Sequence, residues 1–308
     1  MAERQTQTSS VVVVGSSNTD LVIQSVKLPE PGMTVLGGDF QIIPGGKGAN
    51  QAVAAVRSGA RVSFVANIGQ DDFGDAALLR FKHEGIDTRF VVRDRFIPSG
   101  VALIMVGEKG SNLISVAAGS NERLAKAHIK RAKIAFNHAR CCLMQLETPL
   151  PTIEEALLMC KRHKVYAVLD PAPSRRLAKS FLRLVDLITP NEFELAELTG
   201  MPVKTKNNIE CAGKALLQDG VGEVIVTCGE RGACYLSNER VVWFSTPKVK
   251  AVDTVGAGDC FNGSLASALS DGLVMDDAIR YAISSAARSV TLKGAQSSFP
   301  KLKPSRCD

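Results

Sequence analysis

Residues 11–15 read VVVVG, four β-branched residues in a row closed by a glycine. A strand with one wet face alternates polar and apolar residues. An unbroken apolar run instead suits a strand covered on both faces, as in the middle of a parallel sheet. Working outward, similar runs recur in VSFVANIG (62–69), RCCLMQLE (140–147), YAVLD (166–170) and VDLITP (185–190). Helical patterns separate them. In GKGANQAVAAVRSG, Ala49, Ala52, Val53 and Val56 recur at i, i+3, i+4 and i+7, and Gly59 follows as a C-terminal cap. DFGDAALLRFKHEG predicts a second helix, and two more close the chain near 257–271 and 275–291. EVIVTCGERGACYL (223–236) reads as strand, turn, strand.

This alternation predicts an α/β fold with a central, mostly parallel sheet and helices on both faces. Two segments do not fit it. DLVIQSV (20–26) with TVLGGDFQII (34–43), and the hairpin GVALIMV…NLISVA (100–117) around the turn GEKGS, predict a small β-sheet projecting from the main body. Its strands would come from about 20–43 and 98–118, and such a sheet could act as a lid. Residues 1–10, MAERQTQTSS, predict a mobile tail ahead of one domain spanning 11–308.

Composition narrows the class. The 308 residues are 45% hydrophobic and 22% charged, with a net charge of +6, which describes a globular chain. Lys and Arg are dispersed; the densest run, KAHIKRAKIAFNHAR (126–140), interleaves them with Leu124, Ile129, Ile134 and Phe136 as one amphipathic helix. One Trp and three Tyr leave little for base stacking, so no nucleic-acid partner is expected. Eight cysteines include no C-x-x-C and the four histidines no i,i+4 pair, which argues against zinc. The run 11–14 is too short for a signal core or a membrane span, so no membrane partner is expected and the reducing cytoplasm is the simple location.

Ligands of open α/β sheets bind beyond the carboxyl ends of the strands. There the sequence places Asn18 and Asp20, then PGGKGAN, Glu147, PNEFE, CGERG and, after KVKAV, the stretch DTVGAGDCFNG (253–263). So many carboxylates, amides and glycines suggest a ligand rich in hydroxyls or phosphates. DTVGAGDCFNG is neither a Walker loop nor a dinucleotide fingerprint, because Phe261 holds the third glycine's place. It reads as a glycine turn opening a helix, where bare N–H groups suit an anion. Asp259 falls in the first turn, either as a base beside a phosphate or as an acid favoured by the helix dipole. GGKGAN permits the same two readings: a plain strand-to-helix turn with Lys47 solvated, or a backbone closing on a ligand with Asn50 donating to it. DFG at 72–74 matches a protein-kinase motif but lacks its companions.

Together SNTD (17–20), GGKGANQA (45–52), GQDDFG (69–74), PNEFE (190–194) and DTVGAGDCFNG resemble the ribokinase-like carbohydrate kinase family over nearly the whole chain. The resemblance implies transfer of the ATP γ-phosphate to the 5-hydroxyl of D-ribose. Asp259 would be the base, and Gly256, Ala257 and Gly258 the anion hole. Asn18, Asp20, Gly46, Lys47, Asn50 and Glu147 would hold the sugar. Asn191 and Glu194 would organise Mg2+ through water, with Asn191, Thr227, Gly229, Gly232, Gly258 and Ile283 around ATP. K+ would sit at Asp253, Val255, Ser289, Leu292, Gly294 and Ser298. The lid sheets of two subunits would pack into a homodimer. Two positions depart from the family: Ile283 and Asp170 stand where many members carry Asn. A sister kinase for 2-deoxyribose, another sugar or a nucleoside would share most of these motifs. A non-catalytic sugar-binding relative would usually have lost Asp259 or the glycines.

Overall fold

The computed structural model describes residues 10–108 and 111–304. Residues 1–9 of the expected tail, 109–110 of the expected turn and Cys307 lie outside them. Among the described residues the strands form two sheets. The larger has nine strands in the order β13-β12-β11-β10-β9-β8-β1-β4-β5. These are β1 (Ser10–Val14), β4 (Arg61–Gly69), β5 (Val91–Asp94), β8 (Cys141–Met144), β9 (Tyr166–Leu169), β10 (Leu187–Ile188), β11 (Glu223–Thr227), β12 (Ala233–Leu236) and β13 (Val241–Phe244). All neighbours run parallel except β11–β12 and β12–β13, the edge hairpins.

Val11 to Val14 are fully buried, and their alternation divides the protein into two cores. Val12 and Val14 pack with Phe136, Ile153, Leu157 and Leu216 on one face. Val11 and Val13 pack with Ala52, Val53, Leu265 and Ile279 on the other. The helices of the first face are α3 (Lys126–Arg131), α4 (Lys133–His138), α5 (Leu150–His163) and α8 (Lys206–Gln218); those of the second are α1 (Lys47–Arg57), α9 (Ala257–Asp271) and α10 (Met275–Ser289). α2 (Asp72–His83) joins the second core through Phe81, whose ring meets Phe64 edge-on at 5.2 Å. The short α6 (Lys179–Leu182) and α7 (Glu192–Thr199) follow β9 and β10.

The smaller sheet has the order β3-β2-β6-β7, built from β2 (Asn18–Gln24), β3 (Phe40–Gly45), β6 (Gly100–Val106) and β7 (Asn112–Ala117). β2 pairs antiparallel with β3 and parallel with β6, and β6–β7 is the expected hairpin.

Four sequence expectations need correction. The strand expected over 34–43 forms only from Phe40; before it, Gly38 N bonds Gln24 O and Gln24 N bonds Asp39 O, so the two glycines loop the chain round the end of β2. The helix expected over 126–140 breaks at Ala132, whose N–H is shared between the carbonyls of His128 and Ile129. The break turns Ile134 outward, so it is not on the buried stripe with Ile129 and Phe136. KVKAV is not a strand: 245–251 has no regular structure, and the edge strand lies earlier, at β13. The strand expected over 20–26 begins two residues earlier, at Asn18, because the chain passes from one sheet into the other within three residues.

Candidate active site

After β1 the chain runs outward to β4 and β5, and the later parallel strands stack on the other side of β1. β1 and β8 therefore flank the switch point, where a crevice opens at the carboxyl ends. Ser16–Asn18 leaves β1 there and Gln145–Glu147 leaves β8. α1 enters from β3 through Gly46, at φ 86°. A Cβ at Gly46 would lie 2.6 Å from Asn18 N and 2.8 Å from Ser17 Cα, so glycine is what lets the start of α1 rest on this segment.

The sugar candidates converge on that contact. Asn18 Oδ1 accepts from Asn121 Nδ2 at 2.8 Å, and Asn121 Oδ1 accepts from Ser17 N at 2.9 Å. That orientation leaves the Asn18 amide nitrogen as the donor. Glu147 Oε2 accepts from Lys47 N at 3.0 Å and from the Ser16 hydroxyl, which pins it to the N-terminus of α1 where the helix dipole favours it. Asp20 lies against β3, so close that a Cβ at Gly45 would stand 2.4 Å from its Oδ1.

Asp259 is the third residue of α9 and is buried. The N-cap of the helix is Gly256, so Asp259 is a first-turn acid and not the cap. Its Oδ2 accepts from Asn50 Nδ2 and its Oδ1 from Gln51 Nε2, both at 2.9 Å. Asn50 Oδ1 in turn accepts from Gln296 Nε2 at 2.9 Å. Ahead of α9, Gly256 adopts φ 75° and presents the first turn of the helix. The N–H of Ala257 donates to Thr254 O at 3.2 Å, while Gly258 is exposed, with nothing within 4 Å of where a Cβ would stand.

The nucleotide candidates form a neighbouring group. Asn191 and Thr227 join in an isolated parallel bridge, with Thr227 N donating to Pro190 O at 3.0 Å. Gly229 (φ 56°) and Gly232 (φ 91°) bracket the turn before β12. Ile283 is different: it is 6% exposed and packed in the core shared by α1, α9 and α10, with no polar contact to give.

Residues 8–302 match the profile described as pfkB family carbohydrate kinase. The chain belongs to the pfkB family of carbohydrate kinases. It is 40% identical over 291 residues to a ribokinase of Haemophilus influenzae, covering 94% of this chain and 95% of that one. It is 37% identical over 294 residues to a deoxyribokinase of Salmonella typhi, covering 95% and 96%. Its fold matches the structure of Arabidopsis thaliana ribokinase complexed with ribose and ATP at a TM-score of 0.89 and 29% identity, over 95% of this chain and 96% of that one. The protein is thus a phosphotransferase, and the mostly parallel sheet with its second small sheet is the architecture of this group.

The kinase concentrates acid around one ammonium. Burial raises the Asp259 carboxyl, against the pull of Lys47 and the bonds from Asn50 and Gln51. Burial pushes Asp170 up to about 8, opposed by Lys47 and reinforced by Glu194 and Asp259. Burial likewise raises Glu194, opposed by the Asn191 N–H and Lys47. Asp20 is pushed up to about 6 by burial and by the charges of Glu147 and Asp259. Burial alone would lower the Lys47 ammonium, but Asp259, Asp170, Glu147 and Glu194 together hold it well above its ordinary value. Lys47 is therefore no solvated turn lysine: it sits amid the carboxylates.

The cation candidates differ in how they are built. Asn191 and Glu194 cap α7 reciprocally, with Asn191 N donating to Glu194 Oε2 at 2.8 Å and Glu194 N to Asn191 Oδ1 at 2.9 Å. No three His, Cys, Asp or Glu side chains gather as a ligand set among the described residues. One buried carboxylate fits Mg2+, which keeps several waters and takes the rest of its ligands from phosphates. Asp253 ties two loops together: Oδ1 accepts from Val255 N at 3.0 Å and Oδ2 from Gly294 N at 2.8 Å. Ser289 Oγ and Ser298 Oγ donate to the carbonyls of Ala286 and Ala295, at 2.8 and 2.9 Å. Val255 and Leu292 are exposed beside them, so the side-chain oxygen these loops offer to a cation is that of the Asp253 carboxylate. Among the described residues no helix is long and apolar enough to cross a membrane.

Asn121, Ser16, Gln51, Gln145 and Gln296 were not singled out in the sequence. Gln51 lies inside GGKGANQA, a motif that carries its signal; Asn121 and Gln296 reach the crevice from distant segments whose local sequence carries none.

Proposed function

We propose that the kinase transfers the γ-phosphoryl group of ATP to the 5-hydroxyl of D-ribose. The observation that carries this reading is the buried Asp259 carboxylate, held by Asn50 and Gln51 at the opening of α9 and adjoining the polar set of Asn18, Asp20 and Glu147. Paired amides and carboxylates suit a sugar, because each hydroxyl both donates and accepts. Asp259 takes the O5 proton as O5 forms its bond to the γ-phosphorus; the bond from phosphorus to the β–γ bridging oxygen breaks, and ADP leaves. N–H groups of the Gly256–Gly258 turn would face the charge that builds on the transferring group, that of Ala257 by leaving Thr254 O, and Lys47 neutralises the carboxylates around it. Asn191, Thr227, Gly229 and Gly232 would line the nucleotide, with Ile283 against its apolar side. Glu194 and Asn191 would hold Mg2+ through water, and the ion when bound would offset phosphate charge. K+ at the Asp253–Gly294 loops would supply fixed positive charge behind the anion hole.

The small sheet would close over the sugar and keep water from acting as acceptor. Its face opposite Asp20 leaves Phe40, Ile42, Leu103 and Leu113 more than half exposed, which supports a homodimer formed through these sheets. The similarity to a deoxyribokinase favours a second reading in which 2-deoxyribose is the acceptor. A coupled ATP-consumption assay with ribose, 2-deoxyribose, fructose and adenosine, each in potassium, sodium and lithium salts, separates these readings. Ribose should give the highest kcat/KM, and potassium the highest rate. Preference for another acceptor, or equal rates in all three salts, would count against the corresponding part.

Asp20 adds a pH signature to sugar binding. Its ionised form accepts hydroxyl donors, and that form is lost as pH falls through about 6. If only ionised Asp20 binds, sugar affinity measured by calorimetry should weaken about tenfold from pH 7 to pH 5. Asp20→Asn should bind weakly with a flat profile.

A further inference from the structure

Two buried acids in the crevice share a single side-chain amide. Gln51 Nε2 donates to Asp259 Oδ1 at 2.9 Å and to Asp170 Oδ2 at 2.7 Å. On the other side of the amide, Gln51 Oε1 accepts from Gln145 Nε2 at 2.6 Å. Gln51 and Gln145 are fully buried, and Asp170 is 5% exposed. The Asp259 carboxylate on one side and the Gln145 donor on the other leave the amide a single acceptable orientation, with the NH2 towards the two acids. If the amide turned over, its oxygen would meet the Asp259 carboxylate and Gln145 would lose its acceptor. Asn50 is locked similarly by Gln296, but against Asp259 alone.

We infer that Gln51 is a positioning residue for Asp259, and that Asp170 is the anchor that keeps the Gln51 amide turned towards it. This rests on Asp259 being the base. The pair fixes which Asp259 oxygen is engaged and so how the carboxylate presents itself to the sugar hydroxyl. A base misplaced by a fraction of an ångström loses much of its advantage. The charged groups facing Asp259 are Lys47 from α1, Glu147 after β8, Asp170 after β9, Glu194 from α7 and Asp20 from β2. Gln51 is the neutral donor placed between two of the acids, and its bonds pull both carboxyls down against burial.

The test uses the full-length enzyme. Gln51→Glu keeps the shape and the acceptor for Gln145 but replaces the shared donor with a third carboxyl group. It should lower kcat about 10- to 100-fold while ribose affinity, measured by calorimetry without nucleotide, changes less than about threefold. The acid limb of its kcat–pH profile should move up by about one pH unit, because Asp259 loses a donor and gains a like charge. Asp170→Ala should reproduce the loss of kcat. Asp170→Asn, which retains an oxygen for the Gln51 amide, should restore it to within about threefold of the wild type. Thermal melts identify variants that fail to fold. An unshifted acid limb in Gln51→Glu, or equal kcat in the two Asp170 variants, would overturn the inference. Asp259→Asn separates it from the reading beneath it: if that variant retains turnover, base and inference fall together; if it is inactive while the Gln51 and Asp170 variants behave as wild type, the inference alone falls.

Discussion

Asp259→Asn is expected to lower kcat by about 10²- to 10⁴-fold, the usual contribution of a positioned general base, with ribose affinity nearly unchanged. The structure gives two reasons for the size of the loss. The proton acceptor disappears, and the replacement NH2 has to face a donor that has no reason to turn. Asn50 and Gln51 both point N–H groups at residue 259, and both are held that way by amides behind them. A flip at either would propagate to Gln296 or Gln145. Steady-state kinetics paired with calorimetry measures the split: a kcat near the wild-type value would remove Asp259 from the chemistry, and lost ribose binding would make it a substrate ligand first.

Gly256→Ala should have an effect of similar scale through a different route. Gly256 sits at φ 75° and ψ 4°, left-handed backbone that costs an L-residue roughly 1–2 kcal/mol. Its new methyl would stand 2.8 Å from Ala295 Cβ and 3.2 Å from Phe299 Cε1, so the segment after α10 has to give way. That segment also carries Gly294, whose N–H binds Asp253, and Gln296, which holds Asn50. Displacing the glycine turn should reduce kcat by about 10²- to 10³-fold, the range for loss of an oxyanion-type donor, and lower Tm as well. Gly258→Ala is the control. Nothing lies within 4 Å of its Cβ, so it should melt normally, and under the proposed reading it should lose rate only through the methyl entering the anion hole. Equal melting and equal kinetics in the two variants would refute this division.

The sheet was legible because burial on two faces leaves an unbroken apolar run, as at Val11–Val14, and the hairpins because a glycine turn between apolar runs has few other uses. Less legible was whatever depends on tertiary packing. The break at Ala132 places Ile129 and Phe136 on the core with α5, and nothing in the local pattern sets it apart from a continuous helix. Asp259 had two readings from spacing, and the choice between capping and network turns on Asn50 and Gln51, more than 200 residues away. The resemblance supplied a sugar set that the structure gathers in one crevice. It carried Gln51 inside GGKGANQA without marking it, because what sets Gln51, Gln145 and Gln296 apart is which way their amides face, and that is a matter of tertiary packing.

The short passage from β1 to β2 has a last consequence. Asn18 and Asp20 stand on the small sheet, while Asn50, Glu147 and Asp259 stand on the body. A molecule gripped by both sets is a crosslink between two parts of one chain, and its binding free energy is tension available to hold them together. Amide protons along β2 and β6 should then exchange more slowly as ligand is added, by the factor 1 + [L]/Kd wherever opening the sheet releases the ligand. The same arithmetic sets a limit: a weakly held sugar would leave the sheet almost as free as no sugar at all.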